Sequence, residues 1–210
     1  MLTEKTSEND YIYIVFLSTN TLMGKGIRLV THNQYSHVTI SFDGDLRRMY
    51  SFARYYINSP ILGGFVTEQP LRYLHTDQDV LVKICRIAMG KEEYNRILQE
   101  IEFFLSNRES MIYNTPNALL SLFGRRLTVK NMFTCLEFVT YLLRYPEVYA
   151  IQELEKKLEQ QVVYQGSLKE IASLEQACPE DDYFNKRDIS GVVIDTVYHI
   201  KRVALRVLSA

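Results

Sequence analysis

Residues 35–54 read "YSHVTISFDGDLRRMYSFAR". From His37 to Phe42 the side chains alternate, with Val38, Ile40 and Phe42 on one face and His37, Thr39 and Ser41 on the other. That period of two is the mark of a strand. "DGD" then supplies turn residues, and "LRRMYSFA" resumes an extended pattern, so the stretch predicts a β-hairpin. If the loop is the three residues "DGD", Phe42 faces Leu46 and His37 faces Ser51. A hairpin commits this part of the chain to an antiparallel sheet.

The neighbouring segments extend that sheet. "YIYIVFL" (11–17) is a β-branched and aromatic run that predicts a buried strand. Between it and the hairpin, Ser/Thr caps and the spacing of Leu22, Ile27 and Leu29 predict a short helix. "NSPILGG" (58–64) reads as a loop and "DVLVKICRIA" (79–88) as another strand. "KEEYNRILQEIEFFLSN" (91–107) places Tyr94, Ile97, Leu98, Ile101 and Leu105 at helical spacing, an amphipathic helix. "QVVYQGSLKEIASL" (161–174) suggests a strand, a turn at Gly166 and a helical turn. Strands and helices in this order make an α+β domain, an antiparallel sheet packed against helices. With 210 residues and no repeat, we expect one domain over 1–210, with 171–210 a C-terminal extension packing on it.

Composition narrows the function classes. The chain is 47% hydrophobic and carries a formal net charge of -1, which leaves no excess of Lys and Arg to release counterions from a nucleic acid. The start, "MLTEKTSENDYIYIVFLS", is polar and acidic rather than basic before its apolar run, so we expect no signal peptide. No apolar run approaches a membrane span of about 20 residues. Cys85, Cys135 and Cys178 are odd in number and far apart, arguing against a disulfide framework or a zinc site. A cytoplasmic protein without metal or cofactor is the expectation, and its oligomeric state is open.

The chemistry is concentrated in "NMFTCLEFVTYLLRYP" (131–146). "TCLE" matches the capping-box pattern, with Thr134 as N-cap and Glu137 three residues on. Cys135 is then the first helical residue, where the helix dipole favours a thiolate and the exposed N–H groups offer part of an oxyanion hole. A small core residue at a helix start is the competing reading. Of the four histidines, His37 alone is fixed on an expected strand, on its non-core face, which suits a positioned base. A half-exposed histidine at a strand edge competes with that. In the three-residue-loop register, Ser51 is placed to fix the imidazole tautomer.

Together these segments carry a resemblance. "NTLMGKGIRLVTHNQYSHVTISFDGDLRRMYSFAR", followed about a hundred residues later by "FTCLEFVTYLL", is similar to the circularly permuted papain-like cysteine hydrolases. These belong to the NlpC-like superfamily, which includes lecithin retinol acyltransferase. "YSF", "GGFV" and "VVYQGSL" also resemble one bacterial branch of it. The likeness covers roughly residues 11 to 170, with Leu136 standing where the pattern has Ser. It implies Cys135 as nucleophile, His37 as base, and a third polar residue from the following strand, where many relatives have Glu, Gln or His. The matching position here is Ser51. Tyr113, in "MIYNTP", matches a tyrosine upstream of the nucleophile and would line the oxyanion or substrate site with Thr134. The implied substrate is a peptide or other amide, or an acyl lipid; a catalytically inactive ligand-binding member is the alternative.

Other features are weaker. "MGKG" is too short for a phosphate loop. Cys85 reads as core, Cys178 as a loop thiol, and His32 and His75 as loop residues. In "VYHIKRVALRVLSA" (197–210), Ile200, Val203, Ala204, Val207 and Leu208 recur at helical spacing, with Lys201, Arg202 and Arg206 on the polar side. A closing helix on the core is the plainer reading, and an interfacial helix facing acidic lipid the sharper one.

Overall fold

The computed structural model describes residues 10–59, 61–74, 79–120, 125, 127–171, 182–185 and 188–209. His75 and Cys178 lie outside them. In chain order the elements are β1 (Asp10–Leu17), α1 (Leu22–Thr31), β2 (His37–Ser41), β3 (Met49–Arg54), β4 (Gly63–Glu68) and α2 (Leu71–Leu74). They continue with β5 (Leu81–Met89), α3 (Lys91–Ser106), β6 (Ile112–Tyr113), α4 (Thr115–Leu120), β7 (Met132–Phe133) and α5 (Cys135–Leu142). α6 (Ile151–Lys157), β8 (Val162–Ser167), α7 (Leu168–Ile171) and α8 (Ile189–Leu208) complete the set. The architecture is α+β. Six strands form an antiparallel sheet in the order β4-β3-β2-β1-β5-β8, and β6 pairs β7 in a small parallel ribbon.

The alternation that predicts the strands also sorts the two faces of the sheet. Ile12, Ile14 and Phe16 join Val38, Ile40, Phe52 and Phe65 on one face, packed with Ile97, Ile101 and Phe104 of α3 and Phe138, Val139 and Leu142 of α5. The other face carries Val15, Leu17, Met49 and Val82, covered by Leu74 and Leu168. His37 shares that second face and is only 8% exposed. The non-core face expected for it is therefore a second, smaller core, because α2 and α7 cover it.

Four expectations are corrected. The hairpin register is Ile40 with Tyr50 and Ser41 with Met49, two residues away from the one expected. The loop is longer than "DGD": Leu46 is buried, takes a positive φ of 55° and donates its N–H to Asp43, and Ser41 Oγ bonds the carbonyls of Asp43 and Arg48. An even slip leaves every side chain on its own face, so Ser51 still shares a face with His37. Second, Gly63 and Gly64 begin a strand rather than close a loop. A Cβ on Gly64 would lie 2.3 Å from the Met111 carbonyl oxygen, so only glycine lets β4 run this close to the chain entering β6. Third, Gly166 is inside β8, opposite Val82, with the chain turning after Ser167. Within α3, Phe104 rather than Leu105 completes the buried stripe.

α8 docks through a narrow contact in which Val203 and Val207 meet Ile112, Val129 and Met132. Arg202 and Arg206, expected on the polar side, turn toward the domain and donate to the carbonyls of Glu109 at 2.7 Å and Asn131 at 3.1 Å. Ile200 and Leu208 of the expected stripe face outward instead, along with Ile189, Val193, Ile194 and Val197. No helix among the described residues is long and apolar enough to cross a membrane.

Candidate active site

The start of α5 is built by its sequence. Thr134 Oγ1 accepts the Glu137 N–H at 3.1 Å, and Glu137 Oε2 accepts the Thr134 N–H at 2.8 Å, a complete capping box. A second bond ties Glu137 down, from Asn114 Nδ2 at 3.3 Å. The cap occupies both the hydroxyl and the amide of Thr134. First-turn amides therefore remain on Cys135 and Leu136, where an oxyanion would find them. The apolar residues Phe138, Val139 and Leu142 hold the helix on the sheet, which fixes Cys135 at its end, 6% exposed.

The Cys135 side chain neighbours the His37 ring and is one of the groups that favour its protonated form. On the ring, Nε2 sits 3.0 Å from Oε2 and 3.2 Å from Oε1 of Glu68, the last residue of β4, whose side chain is fully buried. Ser51 Oγ is 3.3 Å from the same Nε2 and donates to the Val38 carbonyl at 3.3 Å. Glu68 thus meets the imidazole at closer range than Ser51 does, and with a charge. Its other oxygen accepts from Arg72 Nη1 at 3.3 Å, and Tyr73 adds a hydrogen bond. With Nε2 committed to Glu68, Nδ1 is the ring nitrogen left for the sulfur.

The electrostatics follow from this packing. Burial pulls the His37 imidazole down, but the Glu68 carboxylate, the Cys135 sulfur and hydrogen bonds to both outweigh it, raising the ring from 6.5 to about 10. The surroundings thus favour the imidazolium form of the ring. Burial pushes the Glu68 carboxyl up, and His37 and Arg72 overcome that to hold it below the usual carboxylate range. Burial, reinforced by the neighbouring Cys135 and Glu137 side chains, pushes the Tyr113 phenol well above its ordinary value, so it remains a hydroxyl donor.

Two cavities meet at this cluster. One, of about 220 Å³, is lined by His37, Glu68, Arg72 and Tyr73; the other, of about 90 Å³, by Thr134, Cys135, Leu136 and Glu137. Ser36 and Tyr113 line both. Thus Cys135, His37, Ser51, Tyr113 and Thr134 gather in one region, although they are scattered over almost a hundred residues. His32 is the exposed C-cap of α1 and His199 is buried in α8, and neither is among the described residues lining these cavities. Glu68 and Arg72 escape a reading of the sequence. Glu68 falls in "TEQP", polar text before a proline, and the alternation of Val66 and Glu68 opposite Phe65 is the signal that points to it. No family model, curated protein or solved structure matches the chain.

Proposed function

We propose that the chain is a cysteine hydrolase of the permuted papain-like type, cleaving an amide or ester through a covalent acyl-enzyme. The observation that carries this reading is a helix-terminal thiol against an imidazole that a buried carboxylate holds from its far side. The His37 cation beside the sulfur favours a thiolate, and Glu68 favours the cation. Cys135 Sγ attacks the substrate carbonyl. The tetrahedral oxyanion is received by the Cys135 N–H, with the Tyr113 hydroxyl within the same site. The His37 imidazolium gives its proton to the departing amine or alcohol, leaving a thioester on Sγ. Neutral His37 then takes a proton from water as the hydroxide attacks, and the acid leaves with Cys135 as thiolate. In this cycle His37 starts as the acid rather than as the base.

Brief iodoacetamide treatment at neutral pH, with mass-spectrometric mapping, tests the proposal. Cys135 is expected to label fast in the folded protein and to lose that reactivity in His37→Ala. Slow labelling of Cys135, indifferent to His37, overturns the reading and leaves a ligand-binding relic. The outward apolar residues of α8 favour acyl lipid as a second substrate class. Co-sedimentation with anionic vesicles, lost in a chain ending near residue 188, would support it; no sedimentation of the full chain rejects it.

A further inference from the structure

The larger cavity holds a charge that the chemistry at Cys135 does not use. Arg54 ends β3 and lines this cavity beside His37. Its Nη2 donates to the Tyr183 hydroxyl at 2.8 Å and its Nη1 to the Ile57 carbonyl at 3.4 Å, both neutral acceptors. Two guanidinium groups approach the Tyr183 ring, Arg72 at 4.4 Å and Arg54 at 5.6 Å from its centroid. Glu68 is the one carboxylate among the described lining residues, and it is already shared by His37 and Arg72. Arg54 faces the cavity without a carboxylate partner among the described residues. Thr19, Thr21 and Thr115 also line this cavity.

A guanidinium fork matches a carboxylate or phosphate in two parallel hydrogen bonds, and a half-buried one does so with less screening than at the surface. We infer that Arg54 is a specificity residue that anchors an anionic group of the substrate, a carboxylate or phosphate, in the cavity beside His37. The word substrate rests on the hydrolase reading; the anion site itself does not. One end of the substrate lies on Arg54 while its reactive carbonyl reaches Cys135 past Tyr113, which borders both cavities. On this reading the substrate supplies the acidic group that the described lining residues do not offer Arg54.

The test uses the full chain at low ionic strength with glutarate, inorganic phosphate and neutral glutaramide as probes. Two quantities are read: the thermal midpoint and the protection of Cys135 from iodoacetamide. Glutarate or phosphate is expected to raise the midpoint and slow labelling, and the stronger of the two identifies the anionic group. Arg54→Gln is expected to weaken that anion by about tenfold, and Arg54→Lys by less, since it keeps the charge without the fork. Should Arg54→Gln fail to fold, the comparison of Arg54→Lys with the native chain decides. Effects as large with glutaramide, undiminished in the Arg54 variants, or absent with both anions overturn the inference. His37-independent labelling would remove the hydrolase reading alone, because the midpoint shift by anions does not depend on it.

Discussion

Cys85 and Cys135 are both buried, yet the structure gives them opposite surroundings. Cys85 lies mid-strand in β5, opposite Ile14 and wholly inside the first core, where burial pushes its thiol up to about 12. Cys135 lies at a helix N-terminus, near the His37 ring, on the wall of a cavity. The difference is not exposure, which is 0% against 6%. It is the charge that a sulfur anion would meet. A thiol surrounded by Ile and Phe has nothing to replace water around a negative sulfur, whereas the start of α5 brings backbone N–H groups and the imidazolium.

Removing the imidazole should erase most of that contrast. In His37→Ala, turnover of any amide or ester substrate is expected to fall by roughly a hundredfold or more, and Cys135 alkylation to drop toward the slow rate of Cys85. Retention of fast, selective labelling at Cys135 would show that the helix end alone makes the difference. Next in size is Glu68→Gln, which keeps the shape but removes the charge. The His37 ring, followed by nitrogen NMR, should then titrate well below about 10, and Cys135 labelling should slow near neutral pH. An unchanged titration would transfer the role of Glu68 to Ser51.

The same pair predicts a pH window for stability. Because the folded His37 value is raised above 6.5, its stabilisation is complete below about 6.5 and is lost as pH rises through about 10. Glu68, held below its ordinary 4.5, stabilises above that value and loses its contribution as pH falls through the lower folded value. Thermal midpoints from pH 3 to 11 should therefore show both losses, and Glu68→Gln should flatten both. Smaller again is Thr134→Ala, which removes the cap; a cost of about 1 kcal/mol is expected by denaturant titration, with Cys135 labelling slowed as the helix end frays. Ser51→Ala should move turnover least, within about 1 kcal/mol, since Glu68 holds the same nitrogen at closer range. A larger loss would reverse the ranking of the two His37 partners.

What the sequence made legible follows the same physics. Strict alternation exposes β2, the turn after it β3, an apolar run β1 and an apolar stretch β5, and the capping box exposes the start of α5, because these signals are local. Cys135 and His37 stand out by chemistry plus position. Glu68 does not, since its meaning arises only when β4 pairs with β3 and brings it across to β2. Two glycines at the head of β4 hide that strand, and the reason for the second, the backbone of Met111, is nearly fifty residues away. The hairpin register was missed because Leu46 joins the core from inside a turn, which no local pattern announces. In α8 the helical period was plain, but a period does not say which face docks. The carbonyls of Glu109 and Asn131 decide that by taking the arginines.

The place of Glu68 on an outer strand has a kinetic meaning. His37 and Glu68 are 31 residues apart, and Cys135 arrives nearly a hundred residues after His37. Closing such loops is slow relative to forming a hairpin or a helix. A chain that has made only the β2–β3 hairpin and α5 holds a histidine without its carboxylate and an ordinary thiol. On the proposed hydrolase reading, the sulfur becomes nucleophilic only after β4 has added to the sheet edge and α5 has docked across it. During refolding, the onset of fast alkylation at Cys135 should therefore lag the recovery of secondary structure, which makes this thiol a clock for the last step of assembly.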